Sequence, residues 1–178
     1  VITIHRIKQG SDEWQAIRDG LYTGTSAEKL LRFGAIDYSL TARSDFSGNF
    51  FTKRGHLLED EAVELYETVY ETVVDRPGFV TNSLFPTCGY SPDGLDGAYL
   101  IEVKCFDVKG HMEIVNGNVP FKVVAQIHFG MLICGKRKAR LIAYNPKIEN
   151  DDMALHIVEY RRNPAIDKNF KEKLYARR

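Results

Sequence analysis

Cysteine is scarce: Cys88, Cys105 and Cys134 are the only three in 178 residues. An odd, widely spaced set argues against a disulfide framework, a zinc knuckle or an iron–sulfur cluster, and fits a reducing compartment. Long hydrophobic runs are missing too. Stretches such as Val123-Val124-Ala125 last only a few residues, so no transmembrane helix is expected. The opening residues lack the basic start and apolar stretch of a signal peptide, which leaves the cytoplasm as the expected location. Repeats, low-complexity tracts and Pro/Ser-rich linkers are absent, and the length suits a single domain spanning residues 1–178.

Net charge is also lacking, since 24 Lys and Arg balance 24 Asp and Glu. A protein that grips nucleic acid through bulk charge would be basic. The charges are nevertheless segregated. From Glu59 to Asp75 there are seven acidic residues and no basic one, whereas Arg161 to Arg178 holds seven Lys and Arg against Asp167 and Glu172. Any attraction for a polyanion must therefore be local.

What is present is a change of period along the chain. Ser11 suits the cap of a short helix carrying Trp14, Ile17 and Arg18. Thr25-Ser26-Ala27-Glu28 has capping-box spacing and predicts a second helix through Leu30 and Leu31. The polar stretch from Asp37 to Asn49 reads as a loop. A long helix from about Thr52 to Thr72 follows, with Leu58, Ala62, Leu65 and Val69 on its apolar face. Short strands are expected at Gly78–Thr81 and Thr87–Tyr90, then a turn at Gly94–Gly97 and a strand from Ala98 to Phe106. A helix from Pro120 to about Gly135, strands at Arg140–Tyr144 and Ala154–Tyr160, and a helix from Pro164 to Tyr175 complete the reading. This order predicts an α/β chain of α+β type, a mixed central β-sheet flanked by helices rather than a regular βαβ alternation.

The segment with chemical content is Ser91-Pro92-Asp93-Gly94 followed by Glu102-Val103-Lys104. On a strand, Glu102 and Lys104 share one face while Val103 enters the opposite core. The intervening turn can fold Asp93 back beside Glu102. Two carboxylates so close repel unless a cation or proton lies between them, and Mg²⁺ or Mn²⁺ suits an oxygen-only site. A lysine alongside could orient or help deprotonate a water, or neutralise charge on a phosphate under attack. An exposed strand of alternating charge and an ordinary Asp-Gly turn would carry the same letters. Asp96 and Asp107 are competing carboxylates in turn-like contexts, and the five histidines are scattered.

The same residues resemble the PD-(D/E)XK nuclease signature, and their surroundings resemble its lambda-exonuclease-like, YqaJ-type viral recombinase group. Trp14-x-x-x-Arg18 with Thr23-Gly24-Thr25 is similar to that family's opening helix and turn. Arg54-Gly55-x-x-x-Glu59 resembles its Gly-x-x-x-Glu helix, Gln126 its glutamine helix, and Tyr144-Asn145-Pro146 its Tyr-Asp-Pro strand end. The matches keep the family order from Trp14 to Tyr160.

The resemblance implies a restriction-endonuclease-like core. It implies Asp93 and Glu102 as metal ligands, with the Val103 carbonyl as an extra one. Lys104 would position or activate the water, Gln126 would help orient Lys104, and Glu59 would be a further acidic group at the centre. Arg18, Thr25 and Ser91 would hold a terminal phosphate, with Arg54 (and Lys53) on the DNA backbone. The implied activity is a Mg²⁺-dependent exonuclease on linear double-stranded DNA with a free end, 5′ to 3′, leaving 3′ single strands for phage-type recombination. A ring-shaped homotrimer, a single-strand annealing protein as partner and a phage origin are implied in the same way. An endonuclease of restriction or repair type, and a DNA-binding module with a dead site, are the alternatives on this fold.

Overall fold

The computed structural model describes residues 1–34 and 50–175, with only the backbone described for 50–56. The loop expected at Asp37–Asn49 and the Lys53 and Arg54 side chains lie outside the described residues. The chain runs β1 (Ile2–His5), α1 (Asp12–Arg18), a 3₁₀ turn (Gly24–Ser26), α2 (Ala27–Phe33) and α3 (Phe50–Tyr70). Next come β2 (Phe79–Asn82), β3 (Gly89–Tyr90), β4 (Gly94–Asp96), β5 (Tyr99–Lys104), α4 (Val108–Val115) and α5 (Phe121–Ile133). The order closes with β6 (Lys138–Tyr144), α6 (Asp151–Ala154), β7 (Leu155–Arg161) and α7 (Pro164–Tyr175).

Among the described residues the strands form two sheets, the larger of them the expected mixed central one. β1-β2-β3 is antiparallel, and β4-β5-β6-β7 is mixed, its central pair β5 and β6 being parallel. That parallel pair requires a crossover, which α4 and α5 supply. α5 lies against both sheets, and α3 covers the opposite face of the larger one. Strand alternation divides β5 between two cores. Leu100 faces the α5 side with Ile127, Leu141 and Phe129, whereas Ile101 and Val103 face α3 with Ala62, Val63 and Tyr66.

Three local expectations change. The turn expected at Gly94–Gly97 is strand β4 as far as Asp96, because these residues pair with β5, and the reversal itself falls at Gly97 and Ala98. The buried face of α3 is Ala62, Val63 and Tyr66, while Leu65 and Val69 are 38% and 64% exposed. The stripe rotates because Tyr66 goes inward with its hydroxyl satisfied: it donates to Asp96 Oδ2 at 2.6 Å and accepts from Arg140 at 2.7 Å. Thr25 caps nothing, because the 3₁₀ turn occupies Gly24–Ser26 and its hydroxyl instead meets that of Thr23 at 3.0 Å. Among the described residues no helix is long and apolar enough to cross a membrane.

Candidate active site

Asp93 lies in the link from β3 to β4, and Gly94 pairs with Ile101 on β5, so the turn returns Asp93 beside Glu102. Glycine is required at 94 because a Cβ there would lie 2.2 Å from Val74 Cγ1. The Val103 amide then donates to Asp93 Oδ2 at 2.7 Å, fixing that carboxylate to the strand carrying Glu102 and Lys104.

Glu102 is 1% exposed, so this is no ordinary solvent-facing strand. A carboxylate buried that deeply must be met by donors. Lys104 Nζ and Gln126 Nε2 both donate to Oε1, at 2.5 and 2.6 Å, and the Tyr90 hydroxyl donates to Oε2 at 2.6 Å. Two bonds on Oε1 and one on Oε2 leave one lone-pair direction, on Oε2, for another partner. Gln126 thus reaches the glutamate, and it bears on Lys104 only through the oxygen they share.

Glu59 reaches the same centre from α3. Its carboxylate pairs with Arg76 at 3.1 Å, and its charge is felt by Asp93 and Lys104. Burial, then Glu102 and Glu59, push the Asp93 carboxyl well above its usual range, against the opposing pull of Lys104 and the Val103 amide. Burial alone would lower the Lys104 pKa. Glu102 and Asp93 outweigh it and hold the ammonium above its usual value.

Crowded carboxylates of this kind fit a hard divalent cation: the site has more anionic oxygens than cations, and its free lone pairs are on oxygens. Among the described residues no three His, Cys, Asp or Glu side chains form a ready cage. An ion here would rest on Asp93 and Glu102, with main-chain, water and substrate oxygens completing its shell, the manner in which Mg²⁺ is usually held.

Beside this centre is a second group. Trp14 donates from Nε1 to Ser91 Oγ at 2.9 Å and to the Gly78 carbonyl at 3.1 Å. The Arg18 guanidinium lies over the indole ring at 3.8 Å, and burial alone depresses its pKa. No carboxylate pairs with Arg18 among the described residues. Thr25 is exposed on the neighbouring turn.

The competing carboxylates are structural. Asp96 accepts from Tyr66 and Thr72, and Asp107 caps α4 by accepting from the Gly110 amide at 2.8 Å. Asn145, where the family pattern has Asp, holds the Phe106 carbonyl at 3.0 Å. A cavity of about 560 Å³ lined by Ile2, Leu84, Phe85, Leu132 and Tyr175 contains none of the site residues.

Sequence reasoning missed Tyr90 and Arg76. Tyr90 read as one more strand aromatic, although it immediately precedes Ser91. Arg76 is the first cation after the acidic run, and that was its only signal. It bridges Glu59 and Asp60, the latter at 2.5 Å.

Solved structures with this arrangement of elements exist. An alkaline exonuclease from Laribacter hongkongensis, crystallised in complex with dAMP, superposes with a TM-score of 0.81 at 25% identity, covering 93% of this chain and 90% of that one. A second crystal structure of that enzyme gives 0.78 at 23% identity over the same shares. A phage-related exonuclease from Haemophilus somnus gives 0.57 at 15% identity, over 86% of this chain and 78% of that one. No curated protein sequence matches the chain. The restriction-endonuclease-like core expected from the sequence is therefore present. The sequence profile of the YqaJ-like viral recombinase domain spans residues 13–137, from the helix of Trp14 through Asp93, Glu102, Lys104 and Gln126. The chain belongs to that family.

Proposed function

We propose that this chain is a divalent-metal-dependent deoxyribonuclease that removes nucleotides from the 5′ strand at a free end of linear duplex DNA, leaving a 3′ single strand for recombination. The observation that carries this reading is Asp93 clamped to the Val103 amide at 2.7 Å while Lys104 sits on Glu102 at 2.5 Å. That unit supplies anionic oxygens and an ammonium within one hairpin, as hydrolysis of a phosphodiester needs.

Mg²⁺, with Mn²⁺ as substitute, would be held by Asp93, Glu102 and the Val103 carbonyl. When bound, such an ion polarises a phosphoryl oxygen and lowers the pKa of coordinated water. The protein's own groups do the rest. Lys104 uses one of its three donors on Glu102 and keeps two for a water and for charge developing on the phosphate. Gln126 and Tyr90 hold the Glu102 plane, so that Lys104 is aimed rather than mobile. Glu59 contributes a further acceptor for water on the side of Arg76. Arg18 and Ser91 receive the terminal phosphate, which sets the end from which digestion starts.

The test uses linear duplex and covalently closed circular DNA, each with Mg²⁺ or with chelator. Expected is loss of the linear substrate alone, in Mg²⁺ alone. Lys104→Ala, checked for folding by circular dichroism, should lose at least about 100-fold in rate. Cutting of closed circles would replace the exonuclease reading with an endonuclease. Undiminished cleavage by Lys104→Ala would remove Lys104 from the mechanism.

A further inference from the structure

Trp14 is 6% exposed and shares no hydrogen bond with the carboxylate cluster among the described residues, yet three features of the phosphate side converge on it. Its indole N–H can only donate. Ser91 Oγ, at 2.9 Å, must therefore accept, and the serine's own proton is left to be donated elsewhere. Bonding to the Gly78 carbonyl at 3.1 Å ties the same N–H to the start of β2, so the indole cannot swing away from Ser91 without losing both bonds.

The ring face does different work. A guanidinium stacked on an aromatic face keeps its N–H groups in a plane roughly parallel to the ring, directed outward from its edge. Arg18 sits in this position, one helical turn along α1 from Trp14, its guanidinium 3.8 Å from the ring centroid. The spacing of four residues puts both side chains on one face of the helix. Ser11 caps that helix by accepting from the Trp14 amide at 3.2 Å, which fixes its first turn. One side chain thus determines which way a hydroxyl donates and how a guanidinium lies, two residues before Asp93.

We propose that Trp14 is the positioning residue of a terminal-phosphate site: its N–H forces Ser91 to act as a donor, and its ring presents Arg18 as a flat clamp. The site takes a phosphate monoester, a dianionic group with three acceptor oxygens, in preference to a hydroxyl end. This rests on the nuclease reading above and goes beyond it by assigning end selection to a residue that touches no substrate.

The experiment compares rates on 5′-phosphorylated and 5′-hydroxyl linear duplexes within each enzyme preparation, so a partly unfolded sample cancels from the ratio. Wild type should prefer the phosphorylated end. Trp14→Phe, which keeps an aromatic face and loses the N–H, should lower that preference about tenfold, through KM on the phosphorylated end. In a Ser91→Ala background the same substitution should add little, because the group it orients is gone. Equal slowing on both ends, or full additivity with Ser91→Ala, would reduce Trp14 to a packing residue and overturn the proposal. If Trp14→Phe keeps the preference while Arg18→Ala loses it, the inference fails and the nuclease reading stands. Equal wild-type rates on both ends would remove the phosphate site itself, and no hydrolysis of either duplex would remove the nuclease reading with it.

Discussion

The Tyr90 hydroxyl and the Glu102 carboxylate meet at 2.6 Å inside the protein, each about 1% exposed. Burial, then the charge of Glu102, raises the Tyr90 pKa well above its ordinary value, so the phenol stays protonated and donates. Replacing Tyr90 with Phe leaves the shape and removes the donor from a buried acceptor. A hydrogen bond to a charged group is worth about 1.5–3 kcal/mol, and a chain of this size loses about 2–4 °C in Tm per kcal/mol. Tyr90→Phe should therefore melt several degrees lower. Its nuclease rate should fall about tenfold, the scale of losing a partner that orients a metal ligand. Thermal melting and single-turnover rates check both, and an unchanged rate would show that Lys104 and Gln126 hold Glu102 unaided.

Packing around that phenol gives an expectation whose sign differs from the usual one. Gly130 lies within α5, where Gly→Ala ordinarily stabilises by up to about 1 kcal/mol. A Cβ at 130 would lie 2.5 Å from Tyr90 Cζ and 2.6 Å from Leu100 Cδ2. Both neighbours are fully packed, so Gly130→Ala should destabilise by about 1–3 kcal/mol. The shift would also displace the Tyr90 hydroxyl, so stability and activity should fall together. A variant with raised Tm would show that the ring has room to move.

The pair of clues that revealed the site was local. Asp93-Gly94 is a turn signal and Glu102-x-Lys104 a strand alternation, and both work over ten residues without knowledge of the rest of the fold. Burial was not legible. Glu102 looks like a surface acid until Tyr90 and Gln126, from two other elements, are brought onto it. The face of α3 was misjudged for a related reason. Tyr66 is inward because Asp96 and Arg140, each remote in sequence, satisfy its hydroxyl, and hydropathy ranks Leu65 above it. α4 was missed because only residues 105–107 separate Val108–Val115 from the end of β5. Its start depends on Asp107 accepting from the Gly110 amide, a cap that reads equally well as a turn. β1 was missed because it is only four residues long, with Ile2 and Ile4 both 43% exposed, and it is defined by its pairing with β2, remote in sequence. The resemblance was legible as an order of motifs, but not the contact of Trp14 with Ser91, which joins residues 77 positions apart.

Arg76 offers a test of how the acidic centre is balanced. Its guanidinium spans Glu59 and Asp60, and it also feels the charge of Asp93. Exposed ion pairs add about 0–1 kcal/mol, so Arg76→Ala should cost little in Tm. Glu59 would lose the cation that fixes it toward the site. The expected result is a several-fold slower rate, with less Mg²⁺ needed for half-maximal activity, because a positive charge beside Glu59 and Asp93 has gone. Equal Mg²⁺ titrations for variant and wild type would place Arg76 outside the site's function.

Two histidines outside the catalytic group set an expected pH dependence of stability. His128 is 5% exposed, its Nδ1 has no hydrogen-bond partner, and the Tyr160 ring meets it edge-on at 6.1 Å. Burial lowers its pKa, and Asp167 pulls only partly the other way. His156 is lowered by burial and then by His111, whose Nε2 lies 2.6 Å from the Met153 carbonyl. In the unfolded chain both rings take a proton near about pH 6.5. In the folded chain they take it only at lower pH, so the unfolded state binds more protons below that value. Stability is then intact above pH 6.5 and declines as the pH falls from there toward the lowered folded pKa values. Melting curves between pH 7.5 and 5.5 should show Tm falling with acid, and a His128→Phe, His156→Phe double variant should show a shallower fall. Equal slopes would mean that these two rings titrate as freely in the folded protein as in the unfolded chain.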